Sequence, residues 1–148
     1  MARVKIAAPA QFQFSTQIPV RITDVNYGGH VGNDAILSII HEARLQFLAS
    51  HGYSEMNLAG KGMIMADVAI EFKAEAFYGD TIIASVTAAD FSRVSFDLYY
   101  KLERQTEEKI TAIAIAKTGM VCYDYELRKV AAVPDEVIKK LTANSPTT

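Results

Sequence analysis

Residues 20–34 read VRITDVNYGGHVGND, and this stretch decides the fold, because a strand-like alternation ends in it and a long helix-like segment follows. Three glycines fall within residues 28–32 and separate the two patterns. Asn33 and Asp34 are favourable N-cap residues, so we predict a helix from this point to about Ser50.

The predicted helix is apolar on more than one side. At helical spacing, one stripe consists of Ile36, Ile39, Ile40, Ala43 and Phe47. The opposite side carries Leu37, Leu45 and Leu48 among polar residues. A helix with apolar groups on both sides is normally covered on both, so this helix is expected at the centre of the protein.

The remainder of the chain is typical of β-structure. Strand-like runs cover residues 63–77, 81–89, 94–103 and 109–125, and a short C-terminal helix follows at about 134–142. One early helix among strands favours an α+β fold, with a largely antiparallel sheet curled around the one long helix.

The predicted domain organisation is simple. We predict a single domain over residues 1–148, with its core at about 12–133 and a frayed end at 145–148. A partner should cover the exposed outer face of the sheet, which predicts a homodimer or homotetramer.

Composition excludes several function classes. Of 148 residues, half are hydrophobic and 22% are charged, and the net charge is −2. This balance gives no electrostatic field for nucleic acid or an anionic membrane, so neither is expected as a partner. The first residues lack a signal-type apolar core, and no apolar run is long enough to span a bilayer. One cysteine, Cys122, excludes an internal disulfide and suits a reducing compartment, so we expect a cytoplasmic protein.

The glycine loop does not match the common nucleotide-binding motifs. No Gly-Lys-Ser/Thr follows it, and the glycine spacing is not Gly-x-Gly-x-x-Gly. There is no Gly-x-Ser-x-Gly elbow of a serine hydrolase. The three histidines show no zinc-like spacing, so no metal site is expected.

The run DVNYGGHVGN at residues 24–33, followed by HEAR at residues 41–44, resembles hotdog-fold acyl-CoA thioesterases of the 4-hydroxybenzoyl-CoA thioesterase type. Their usual pattern is Asp-x-Asp-x-x-Gly-His-Val-Asn-Asn, then Glu-x-Ala-Arg on the helix. Residues 70–72 and 78–80 continue the similarity more weakly, so that it covers most of the chain. The resemblance implies a hotdog fold, active sites at a dimer interface and hydrolysis of acyl-CoA to a carboxylic acid and free coenzyme A (CoA). It implies no metal or redox cofactor.

The resemblance also implies how the loop binds substrate. In such enzymes the helix N-terminus points a backbone N–H at the thioester carbonyl, here that of Asn33 or a close neighbour. Fixed N–H donors and the helix dipole stabilise the negative charge that develops on this oxygen. Gly28 and Gly29 would let the substrate approach the backbone closely. Tyr27 and Asp34 complete the predicted substrate-binding set.

The sequence departs from the family pattern at position 26. The resembling enzymes carry their catalytic carboxylate there, whereas this chain has Asn26, and an amide cannot take a proton from water at neutral pH. We predict Asp24 or Glu42 as the base, with Asn26 and His30 orienting water and carbonyl. Asp34 and His30 are further candidates for the base.

Three cations could bind the CoA phosphates. Lys61, Lys73 and Arg93 lie near predicted strand ends or turns. Surface solubility explains them equally well.

Two other functions compete with hydrolysis. Asn26 favours a non-catalytic protein that binds acyl-CoA or acyl carrier protein. A hotdog dehydratase is less favoured, because its histidine–acid arrangement is missing.

Overall fold

The computed structural model describes residues 3–143. Its elements in chain order are β1 (Phe14–Pro19), a 3-10 turn (Ile22–Asp24), α1 (Asn33–Ser50), β2 (Gly62–Phe72), β3 (Thr81–Ala89), β4 (Ser95–Gln105), β5 (Ile110–Asp124), β6 (Lys129–Val130) and α2 (Asp135–Thr142). Neither helix is both long and apolar enough to cross a membrane. The predicted frayed end at 145–148 lies outside the described residues.

The strands form one antiparallel sheet in the order β1-β3-β4-β5-β2, and β6 pairs with β5. β1 and β2 are therefore the two edges of the main path. This confirms the predicted α+β fold, an antiparallel sheet wrapped around one long helix.

One predicted strand was too long. The run predicted at 63–77 leaves the sheet after Phe72. The backbone N–H groups of Lys73 and Ala74 both donate to the carbonyl of Ile113, at 2.8 and 3.2 Å. This shared acceptor turns the chain out of the ladder, and the segment behind β2 then runs toward the start of α1.

Helix α1 packs into the core along the predicted stripe. The five buried residues of that stripe are Ile36, Ile39, Ile40, Ala43 and Phe47. Fully burying an aliphatic or aromatic side chain stabilises a fold by about 1.5–3 kcal/mol. On the other side only Leu48 is buried, while Leu37 and Leu45 are 38% and 39% exposed. Within one copy of the chain, the second face is therefore covered at Leu48 and only partly at Leu37 and Leu45.

A polar network crosses the core beneath α1. The Arg44 guanidinium is buried and donates from Nε to Glu55 at 3.0 Å and from Nη1 to the Tyr100 hydroxyl at 3.2 Å. That hydroxyl also shares a 2.7 Å hydrogen bond with Thr118. The other Glu55 oxygen lies 2.8 Å from Nε2 of His41. Burial alone would raise the pKa of Glu55, but the His41 hydrogen bond and the charge of Arg44 outweigh it and lower that pKa.

Candidate active site

The glycine loop folds as a closed hairpin. The Asn26 N–H donates to the His30 carbonyl at 2.9 Å, and the Gly29 N–H donates to the Asn26 carbonyl at 3.0 Å. Gly29 has a φ of 85°, a conformation that favours glycine. The side-chain oxygen of Asn26 accepts the N–H of Gly28 at 2.9 Å. The loop therefore holds the Asn26 amide in a fixed position.

The start of α1 lies directly behind this hairpin. Gly32 is the N-cap, so the prediction of Asn33 or Asp34 in that role is wrong, and no side chain caps the helix. The Gly32 N–H donates to the Asp24 carbonyl at 3.0 Å. Within residues 3–143, no hydrogen bond engages the N–H groups of Asn33, Asp34 and Ala35. These groups carry the partial positive charge of the helix end.

A cavity of about 320 Å³ opens beside the helix start. It lies between α1 and the segment that follows β2, and the Val31 N–H ties the two together by donating to the Ala76 carbonyl at 2.8 Å. Its polar lining consists of His30, Asn33, Lys73 and Glu75, and its apolar lining includes Val31, Ile36, Phe72 and Ile113. We call this the N-terminal cavity. It combines unpaired N–H groups, titratable side chains and an apolar wall.

The two ring nitrogens of His30 face different oxygen atoms. Nδ1 lies 3.2 Å from the carbonyl oxygen of Val31. A carbonyl can only accept, so Nδ1 carries a hydrogen in this contact. Nε2 lies 3.8 Å from Oε1 of Glu75, and the His30 side chain is 33% exposed. The neutral ring thus keeps the Nε2 lone pair free on the side of the carboxylate.

The two residues predicted as the base lie outside the N-terminal cavity. Asp24 is buried, and its carboxylate accepts the backbone N–H of Arg21 at 2.8 Å and its guanidinium at 3.3 Å. Glu42 accepts a 2.8 Å hydrogen bond from Gln46. It lines a second cavity of about 310 Å³ between β1 and α1. The carboxylates of Asp24 and Glu42 both have local partners away from the helix start.

Of the five predicted substrate-binding residues, Asn33 lines the N-terminal cavity, whereas four do not: Tyr27, Gly28, Gly29 and Asp34. Tyr27 is fully exposed in the hairpin. Asp34 is exposed, and its Oδ1 lies 2.6 Å from the position that a Cβ on Gly32 would take. Gly32 therefore leaves room for that carboxylate in the first turn.

The three predicted phosphate ligands are spread along the sheet. Lys73 lines the N-terminal cavity and lies 3.0 Å from Glu71. Lys61 lies 3.1 Å from Asp124, at the opposite end of β2. Arg93 is near that end too, in the turn between β3 and β4. The N-terminal cavity thus includes one of the three cations.

Glu75 is the polar cavity residue that the sequence did not indicate. It follows β2 between two alanines, where it resembles an ordinary surface acid. Only its position opposite His30 distinguishes it. Within the described chain, no group of three or more His, Cys, Asp or Glu side chains could hold a metal ion.

The sheet wrapped around a single helix, with a cavity at the helix N-terminus, defines the class as a hotdog-fold protein. Residues 20–141 match the thioesterase-like superfamily, and the chain belongs to this superfamily. No curated protein sequence matches it.

Solved structures support the fold. A 1,4-dihydroxy-2-naphthoyl-CoA thioesterase from Synechocystis is 26% identical with a TM-score of 0.75, over 86% of this chain and 93% of that one. A thioesterase-superfamily protein from Jannaschia sp. CCS1 is 18% identical with a TM-score of 0.81, over 92% of this chain and 85% of that one. A third structure is an aspartate-to-asparagine mutant of 4-hydroxybenzoyl-CoA thioesterase, complexed with 4-hydroxybenzoyl-CoA. It is 18% identical with a TM-score of 0.78, over 87% of this chain and 98% of that one.

Proposed function

We propose that the chain hydrolyses acyl-CoA, converting the thioester and water into a carboxylic acid and free CoA. One observation carries this proposal: the uncapped start of α1 presents three unpaired N–H groups beside the N-terminal cavity, in a member of the thioesterase-like superfamily. The Synechocystis relative supports it, because that protein is a thioesterase of an aryl-CoA.

The helix start would act on the thioester carbonyl. Attack of water on this carbon puts negative charge on the oxygen, and the N–H of Asn33 or a neighbour would donate to it. Preorganised donors of this kind are typically worth about 100- to 1000-fold in rate each. The reaction as written needs only water and the thioester, so we propose it without a metal or redox cofactor.

The cavity walls suggest where the two parts of the substrate bind. Ile36, Phe72 and Ile113 offer apolar contact to an acyl group. Lys73 is the cation of this cavity and is the best-placed ligand for a CoA phosphate. The Tyr27 ring, exposed in the loop, is available to cover the bound substrate.

We propose that two copies pair along β2. This strand is an edge of the sheet and exposes Ile64, Met65 and Val68, each by 38–39%. Long apolar edges are normally protected, because their free N–H and C=O groups invite another strand. A second copy offers an identical strand and covers all three side chains.

Pairing along β2 would also complete the predicted cation set. If two β2 strands pair antiparallel about their midpoints, the Gly62 end of one lies beside the Phe72 end of the other. Lys61 of the second copy would then approach Lys73 and the N-terminal cavity. This arrangement supports an active site at the dimer interface.

An alternative is an acyl-CoA binding protein that does not hydrolyse its ligand. Asn26 favours it, because its amide oxygen is engaged by the Gly28 N–H and the amide cannot act as a base. The 4-hydroxybenzoyl-CoA thioesterase mutant with asparagine in place of an aspartate is complexed with its acyl-CoA. An asparagine is thus compatible with acyl-CoA binding in a protein of this fold.

We further propose a cytoplasmic location. Its support is the single cysteine, Cys122, which is free and buried. Such a thiol suits a reducing compartment.

Thiol release from short, long and aromatic acyl-CoAs tests the proposal, with wild type and Asn26→Asp assayed in parallel. Turnover by the wild type supports hydrolysis. A thermal shift with acyl-CoA but no turnover, together with turnover gained by Asn26→Asp, would establish the binding protein instead. Neither turnover nor a thermal shift in either protein would refute both functions.

A further inference from the structure

We infer that His30 is the general base that activates water in the N-terminal cavity, and that Glu75 acts through it as a positioning residue. The inference rests on the proposed acyl-CoA hydrolysis and deepens it. It starts from the problem posed by Asn26, which leaves no carboxylate at the usual position of the thioesterase-like loop.

The side chains that line the N-terminal cavity limit which residue can act as the base. Its titratable side chains are His30, Lys73 and Glu75. Lys73 is a cation 3.0 Å from Glu71, and a protonated amine cannot accept a proton. The Glu75 side chain is 62% exposed, so water hydrates most of it. Histidine is the side chain that exchanges protons near neutral pH, and His30 is only 33% exposed.

The geometry of His30 suits proton transfer. The Val31 carbonyl holds the hydrogen on Nδ1 and leaves Nε2 as the acceptor. Nε2 also lies 3.5 Å from the position of a Cβ on Gly28, where the glycine leaves space. Asn26 Oδ1 is 3.2 Å from that same point. The amide oxygen and the imidazole therefore lie close together on the same side of the loop backbone, where both can contact one water molecule.

Glu75 stabilises the charge that forms on His30. When Nε2 takes a proton, both ring nitrogens become donors, one to the Val31 carbonyl and the other toward the Glu75 carboxylate. At 3.8 Å the two side chains form an ion pair only in this protonated state. The pair thus favours the form of His30 that exists after water has been activated.

The complete step balances. Nε2 of His30 removes one proton from water while the water oxygen bonds to the thioester carbonyl carbon. The N–H groups at the start of α1 stabilise the oxyanion. The C–S bond then breaks, the sulfur leaves with the bonding electrons, and the proton on Nε2 passes to it. The products are the carboxylic acid and CoA as a free thiol.

The test is the pH dependence of kcat for thiol release in the intact chain. We expect the wild-type kcat to fall at acid pH, with a midpoint between about pH 5 and 8. His30→Gln should lower kcat by about 100-fold or more and remove this midpoint. Glu75→Gln should lower kcat only about fivefold at unchanged KM, because the pair is partly exposed and water screens it. Glu75→Asp should recover part of the loss. The matched control is Glu107→Gln, at an exposed acid in the turn between β4 and β5.

Three results would overturn the inference. A His30→Gln protein that keeps the wild-type pH profile excludes His30 as the base. A greater loss in Glu75→Gln than in His30→Gln would make Glu75 itself the base. Absence of turnover by the wild type on every acyl-CoA would refute the hydrolase function and, with it, this catalytic role. Because Glu75 is exposed, its variants report on the pair even if His30→Gln fails to fold.

Discussion

Arg44 and Tyr100 meet inside the hydrophobic core, where the guanidinium Nη1 donates to the phenolic oxygen over 3.2 Å. Burial raises the pKa of Tyr100, so the phenol stays protonated, and this hydroxyl shares a second hydrogen bond with the hydroxyl of Thr118. A cation in the core needs a complete set of acceptors, because an unsatisfied buried polar group is costly. The contact therefore links α1 to β4 and β5.

Tyr100→Phe tests this link. The change removes one oxygen and leaves both a guanidinium N–H and the Thr118 hydroxyl without their partner. We expect a loss of about 1–3 kcal/mol in the free energy of unfolding, measured by urea denaturation. The control Tyr125→Phe, at an exposed ring, should change it by less than about 0.5 kcal/mol. Equal effects of the two changes would contradict the importance of the network.

Stability should fall at acid pH through Glu55. Its pKa is lowered in the folded protein from the ordinary value of 4.5, so its contribution is complete above pH 4.5 and is lost as pH falls through the folded pKa. Glu71 and Asp124 also have lowered pKa values and act in the same direction. Glu55→Gln should therefore flatten, without abolishing, the pH dependence of unfolding below pH 4.5 in thermal melts. If the melting temperature changed equally with pH in the wild type and in Glu55→Gln, this prediction would be contradicted.

Adjacent glycines in the loop should respond differently to alanine. Gly29→Ala forces a side chain into a φ of 85° with open space around it, so stability should fall by about 1 kcal/mol. Gly28→Ala instead puts a methyl group 3.2 Å from Asn26 Oδ1 and 3.5 Å from His30 Nε2. Turnover should drop roughly tenfold, because this group displaces the water-orienting atoms. Parallel melts and thiol-release assays check both, and full activity of Gly28→Ala would contradict the proposed roles of Asn26 and His30 in orienting water.

Cys122 should be inert in the folded protein. Burial raises the pKa of its thiol to about 11. The thiolate is the reactive form, so at pH 8 roughly one thiol in a thousand is available. We expect Ellman's reagent to detect no fast-reacting thiol in the native protein and one per chain in denaturant. Rapid native labelling would show that the β5 core opens readily.

Charge on the β2 edge should separate the two copies. Val68→Lys puts an ammonium group on the surface proposed to pair, and edge lysines oppose strand addition. We expect light scattering to show half the wild-type mass. The control Val130→Lys, at an exposed valine of β6, should keep the wild-type mass. A monomeric wild type would refute the proposed dimer.

The fold was predictable where local signals agree. The apolar stripe predicted α1 closely, although its N-cap is Gly32 and not Asn33 or Asp34, and the strand-like run at 81–89 matches β3. The strand predicted at 63–77 is too long. Its end depends on the hydrogen bonds of Lys73 and Ala74 with the carbonyl of Ile113, which is distant in the sequence. Leu37 and Leu45 stay partly exposed, and Leu45 lines the open cavity between β1 and α1.

The candidate site was predictable only in part. His30 and Asn33 follow from the loop motif, and the structure places both at the cavity. The carboxylates of Asp24 and Glu42 bind the nearby residues Arg21 and Gln46 and do not line the N-terminal cavity. Sequence spacing alone does not show these contacts. Glu75 belongs to no sequence motif. Its contact with His30 depends on how the segment after β2 packs against the start of α1, which the local sequence does not indicate.

The position of β2 in the sheet has a consequence for synthesis of the protein on the ribosome. Among the described strands, β2 pairs only with β5, which is made much later. Until residues 110–124 have emerged, the segment carrying Lys73 and Glu75 has no ladder to hold it against the helix. A nascent chain can thus form α1 early and pair β1 with β3 once residues 81–89 have emerged, but its N-terminal cavity closes only after most of the polypeptide is complete.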